Sequence, residues 1–141
     1  MNEHLCNNRE IKDYGGEPIA LNIEKITEKN QTFRTALRTG KQLQVTVMSI
    51  PVGGDIGLEI HPHTDQFIRI ENGCALAVMG KCKDALNIRY RISSGYAVII
   101  PAGTWHNIIN TGNTPLKLYS IYAPVQHPFG TVQETKNSAE H

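Results

Sequence analysis

The chain has 141 residues, 40% of them apolar and 19% charged, so it is long enough for one domain with a buried core and too apolar to be a disordered segment. Fourteen basic against thirteen acidic side chains leave a net charge of +1, and no run of Lys and Arg could follow a phosphate backbone, which sets nucleic acid aside as a partner. The longest apolar runs, such as 97–100, are far too short to cross a bilayer, and the polar opening MNEHLCNNREIKD reads as no secretion signal, so a cytoplasmic protein without a membrane partner is expected.

Residues 1–20 are polar, contain Gly15-Gly16, and read as a loosely held segment. A short helix near 23–29 follows, with Asn22 placed to cap it. Leu43, Val45 and Val47 alternate with Gln42, Gln44 and Thr46, which marks a half-buried strand. A turn at 51–55 leads to strands over 57–61, 66–71 and 74–79, the second ending at Asn72-Gly73. After a loop through 80–87 come strands at 88–92, 96–100, 105–110 and 116–122, separated by Ser93-Ser94-Gly95, Pro101-Ala102-Gly103 and Thr111-Gly112-Asn113. One domain over 21–126 is expected, followed by a polar tail over 127–141. So many short strands at even spacing mean an all-β antiparallel sandwich or barrel. The three cysteines, Cys6, Cys74 and Cys82, form no Cys-x-x-Cys pair, so a reducing compartment is expected and a thiolate zinc site is not.

The segment 95–110, GYAVIIPAGTWHNIIN, carries Gly95, Pro101, Gly103, His106 and Asn110 at fixed spacings. This resembles the second signature of the cupin superfamily: Gly, five residues, Pro-x-Gly-x-x-His, then an Asn. Pro101 cannot continue a central ladder and Gly103 permits a tight bend, so the chain can reverse and send His106 inward. The first cupin signature is Gly, five residues, His-x-His, three or four residues, Glu, six residues, Gly. Counting forward from Gly53 and back from Gly73 puts Glu59 in the first His position, His61 in the second and Gln66 in the Glu position. The conspicuous His61-Pro62-His63 tempts a different pairing, and because 59, 61 and 63 share strand parity, His63 stays open as an alternative to Glu59.

The resemblance implies a single-domain double-stranded β-helix, or jelly-roll barrel, with short N-terminal additions. It also implies a divalent metal held by Glu59, His61, Gln66 and His106, and a homodimer paired through sheet edges. That mixed nitrogen and oxygen donor set suits zinc, iron(II), manganese or nickel, and with one carboxylate the loaded site would be cationic and favour an anionic ligand. The set is similar to the metal site of the type I mannose-6-phosphate isomerases, where a Gln-x-His-Pro segment, a Glu and a distant His hold zinc. The resemblance therefore implies an isomerase acting on a small sugar or sugar phosphate. An iron-dependent dioxygenase using His61, His106 and Glu59, or a small-ligand-binding cupin without turnover, stand as alternatives. Tyr122 points inward if Lys117 lies outside, as a proton donor or as a core tyrosine. Trp105 reads as packing, His127 as a loop residue within reach of the barrel mouth, and Asp65 and Arg69 as rim and surface groups without a role. The terminal His4 and His141 carry no signal.

Overall fold

The computed structural model describes residues 10–139; His4, Cys6 and His141 lie outside them. Helix α1 (Ile23–Lys29) starts at Asn22, whose side chain accepts a hydrogen bond from the Lys25 amide at 3.1 Å, the cap that the sequence predicts. The strands are β1 (Arg34–Thr39), β2 (Gln44–Ile50), β3 (Asp65–Asn72), β4 (Cys74–Gly80), β5 (Ile88–Ser93), β6 (Ala97–Ile100), β7 (Trp105–Asn110), β8 (Leu116–Ala123) and β9 (Val132–Gln133), and a short helix α2 (Lys136–Ala139) follows. A six-stranded sheet, β6-β3-β8-β2-β1-β9, lies against a three-stranded one, β5-β4-β7, and the paired strands are antiparallel. This is the expected jelly-roll barrel with an N-terminal helix and strand added.

Register decides what the barrel encloses. Along the paired strands β2, β8, β3 and β6, Gln44 faces Tyr122, Tyr122 faces Gln66, and Gln66 faces Ile100. Period-two alternation then puts Met48, Ile50, Ile68, Ile70, Leu116 and Leu118 on that same face, where they form the main apolar core. The interior is therefore graded, apolar through most of its depth and polar at the end that holds Gln44, Gln66, Tyr122, His61 and His106. A second, smaller cluster lies outside the sheet, where Leu37 and Val47 pack under Ile26 of α1 with Ile11, Tyr14 and Leu21 beside them.

Two features depart from the sequence expectation. Strand β1 was not anticipated, because both of its faces are covered and Arg34 to Leu37 are all buried, which erases the alternation that marks a half-exposed strand. The strand expected at 57–61 is reduced to one isolated bridge, Glu59 to His106, with a second, Asp55 to Ile109, just before it. Gly57, at φ +96°, breaks the pleat between them, and its amide donates to the Asn107 side chain at 3.0 Å rather than to a neighbouring strand. Among the described cysteines, Cys74 and Cys82 are exposed and unpaired. No helix among the described residues is long and apolar enough to cross a membrane.

Candidate metal centre

The polar end is built from two segments that hold each other. The Glu59 amide donates to the His106 carbonyl at 3.0 Å, and the His106 amide returns the bond to Glu59 at 2.9 Å. Two residues after Glu59 and three before His106, the Gly103 amide donates to the His61 carbonyl at 2.9 Å. Gly103 sits at φ +82°, the left-handed region that the Pro101-Ala102-Gly103 reversal needs, and Asp65 fastens the same turn by accepting the Ala102 amide at 2.8 Å. Asp65, given no role from sequence, thus has a structural one. Asn110 closes the motif: its amide nitrogen donates to the carbonyls of Ile50, Pro51 and Thr114, and its oxygen accepts from Gly112.

This frame brings Glu59, His61 and His106 together, with one donor atom of each lying within 4.8 Å of the others. Glu59 Oε1 is 3.4 Å from His61 Nε2 and 3.7 Å from His106 Nε2, and the two imidazole rings are 5.2 Å apart between centres. All three atoms are buried, and none has a hydrogen-bond partner of good geometry. The other ring nitrogen of His106, Nδ1, lies 2.9 Å from the Thr104 carbonyl, which can only accept, so Nδ1 carries the proton and Nε2 presents its lone pair. Burial pushes the Glu59 carboxyl up, but the His106 and His61 rings outweigh it and hold the group below the usual carboxylate range. Buried donor atoms left without partners are costly, and a cation satisfies all of them at once. The residues present therefore fit a divalent metal, with Glu59, His61 and His106 as its holders.

Gln66 is the fourth residue of the expected set. Its amide nitrogen is spent on Ser120 Oγ and the Tyr122 hydroxyl, each at 3.2 Å, and its carbonyl oxygen is left buried without a partner. His63, the alternative to Glu59, is exposed on the turn after Pro62 and stands outside the group. Tyr122 faces inward and is almost fully buried, while Lys117 on the opposite face bonds the Asn30 carbonyl. Its ring meets His61 edge-on at 5.8 Å, and burial pushes its phenol above the usual range, so it stays protonated.

His127, Gln44 and Arg34, outside both signatures, complete the surroundings. His127 lies in a loop, as the sequence predicts, and its ring reaches the barrel mouth, packing edge-on against Tyr122 at 5.1 Å with Nε2 buried. Gln44, itself fully buried, fixes that loop by accepting from the amides of Gln126 and His127 and donating to the His127 carbonyl. Burial, then the nearby Arg34 charge, lower the His127 imidazole to about 4, so the ring is neutral at pH 7. Arg34, from the unanticipated β1, is 4% exposed and lines a cleft with Glu59. No local pattern marks these residues. Arg69, by contrast, pairs with Glu71 at 3.2 Å and is half-exposed.

Comparison with known proteins bears on this site. A family description, Cupin domain, matches residues 46–122. The chain is 62% identical over 129 residues to the protein YrkC of Bacillus subtilis (strain 168), spanning 92% of this chain and 69% of that one. It superposes on the crystal structure of BH2720 from Bacillus halodurans with a TM-score of 0.91 and 59% identity, covering 92% of this chain and 98% of the other. The structure of KdgF from Halomonas sp. shares the fold at a TM-score of 0.58 with 17% identity, over 66% of this chain and 80% of that one.

Proposed function

The chain belongs to the cupin domain family, and from that premise we propose that it is a metal-dependent enzyme acting on a small oxygenated molecule, such as a sugar or sugar phosphate, in the manner of an isomerase. The observation that carries this reading is the set of three buried donor atoms of Glu59, His61 and His106, turned toward one another and otherwise unsatisfied. A divalent ion bound there, whether zinc, iron(II), manganese or nickel, polarises a carbonyl or hydroxyl oxygen and acidifies the adjoining C–H.

The chain's own residues are suited to moving that proton. Tyr122 accepts a hydrogen bond from Gln66, with the Thr46 and Ser120 hydroxyls also against its phenol, and its raised pKa keeps its hydrogen in place. His127, held neutral and so a weak base, presents a buried, unpartnered Nε2 that can take a proton only in passing and returns it readily. Gln44 holds that ring in place through the main chain on either side of it, and the apolar floor of Ile68, Leu118 and Ile100 keeps bulk water from the inner side.

One observation favours a second reading. Two imidazoles and one carboxylate are also the facial set of non-haem iron oxygenases, and Glu59, His61 and His106 match it. Elemental analysis of protein purified without chelator is expected to find close to one metal per chain. Aldose and ketose phosphates incubated with it in deuterated water are expected to gain deuterium beside the carbonyl, with the His127→Gln variant slowed by roughly 100-fold. Stoichiometric iron together with oxygen consumption, and no deuterium uptake, would replace the isomerase reading with the oxygenase one.

A further inference from the structure

A guanidinium is charged at every working pH, and burying one without a counter-ion is expensive. Arg34 is 4% exposed, yet among the described residues no carboxylate forms an ion pair with it. Its known contacts are modest. One terminal nitrogen donates to the Gln133 side chain at 2.6 Å, across the β1–β9 pairing, and the guanidinium carbon lies 5.2 Å from the centre of the Phe33 ring. Its Nε is buried and has no hydrogen-bond partner.

This cation shares a cleft with Glu59, one of the three grouped donors. Arg34 and Glu59 line one cleft of about 190 Å³ with Phe33, Ile56, Gly57 and Leu58. The other cation of the cleft, Lys136, is already paired with Asp55, which leaves Arg34 as the cation of the cleft without a direct ion pair. Its field reaches inward as well, acting on Glu59, Tyr122 and His127. The planar fork of a guanidinium matches the paired oxygens of a carboxylate or phosphate, and a partly desolvated fork binds them more strongly than an exposed one.

We propose that Arg34 anchors an oxyanion of the ligand, a carboxylate or a phosphate, at the cleft beside Glu59. The substrate class then narrows to small molecules with two ends: uncharged oxygens toward Glu59, His61 and His106, and an anionic group on Arg34. A neutral sugar lacks the second end and is discriminated against. The narrowing of substrate rests on the functional reading above, whereas the anion site itself stands on Arg34 and the cleft.

Thermal unfolding of the full chain as purified tests the site, with inorganic phosphate in one arm and acetate in the other, both against chloride at constant ionic strength. The expected result is a saturable rise in Tm of about 3 °C in at least one arm, and the arm that responds identifies the oxyanion. Arg34→Gln is expected to abolish the rise, and Arg34→Lys to weaken apparent affinity about tenfold. Arg89→Gln, at an exposed arginine of β5 outside the cleft, is expected to leave the rise unchanged. No saturable rise in either arm, or an undiminished one in Arg34→Gln, overturns the proposal. Should Arg34→Gln not fold, an undiminished affinity in Arg34→Lys overturns it equally. Metal content measured on the same samples separates the two readings. Full metal loading without an Arg34-dependent rise removes the anion site alone, and an Arg34-dependent rise in a chain that takes up no metal removes the metal centre alone.

Discussion

Thr104 offers His106 a carbonyl at 2.9 Å, and because a carbonyl cannot donate, the ring is locked in the tautomer whose Nε2 lone pair faces Glu59 and His61. Removing any of the three donors takes away a ligand and leaves the frame standing, since the frame is main chain. Glu59→Ala and His106→Ala are each expected to lower metal affinity by at least about 10-fold with secondary structure retained, read by elemental analysis beside circular dichroism. His63→Ala, on the exposed turn, is expected to change neither. Gly103→Ala tests the frame instead: at φ +82° an added Cβ is strained even though nothing lies within 4 Å of it, so a loss of about 1–2 kcal/mol in denaturant unfolding is expected. The grouping of Glu59, His61 and His106 was legible because fixed spacings from Gly53, Gly73 and Gly95 set their register without reference to neighbours in space. Arg34 and His127 were not, since the first reaches the site through a β1 buried on both faces and the second through a side-chain clamp from Gln44, more than eighty residues away along the chain.

Elements here are joined by a few polar clamps as much as by the apolar core. Asn110 ties the end of β7 to the Ile50-Pro51 turn and the Thr114 carbonyl through its side-chain nitrogen, while its oxygen holds the Gly112 amide. Asn110→Ala leaves those carbonyls to find new partners in a nearly buried corner and is expected to cost about 2–3 kcal/mol, measured by urea unfolding. Asn110→Asp separates space from donation: it fills the same volume, cannot donate to the three carbonyls, and should cost at least as much. Gly80 is constrained differently, because a Cβ there would lie 2.2 Å from the Ala85 carbonyl oxygen, and Gly80→Ala must open the β4–β5 loop. The strand pattern was readable wherever Gly and Pro punctuate it, from β3 through β8. It failed at 57–61, where Gly57 was counted as part of a strand that its positive φ interrupts, and at β9, whose two residues pair with β1 but carry no period of their own.

For the molecule as a whole, acid is the informative stress. The folded chain holds His127 neutral down to about 4, whereas the unfolded imidazole protonates near 6.5. Between those values the unfolded state takes up a proton that the folded state refuses, so stability falls as pH drops from 6.5 to about 4 and this contribution levels off below. Asp55 adds to the loss at lower pH: burial raises its carboxyl, but Asn107 and Lys136 lower it further, so its contribution is present above the ordinary 3.8 and disappears as the pH falls through its folded value. Tm is therefore expected to decline from pH 6.5 downward, and His127→Gln to flatten the upper part of that decline; a wild-type Tm that is level from 6.5 to 4.5 would contradict the burial of the ring. The reciprocal bonds between Glu59 and His106 carry a consequence of another kind. The address of this group is written in peptide groups, which every residue possesses, so the side chain at 59 is an interchangeable part. A replacement such as Glu59→His therefore changes the donor without moving its place in the barrel, and a lineage can vary the chemistry of one spot while the main chain around it stays the same.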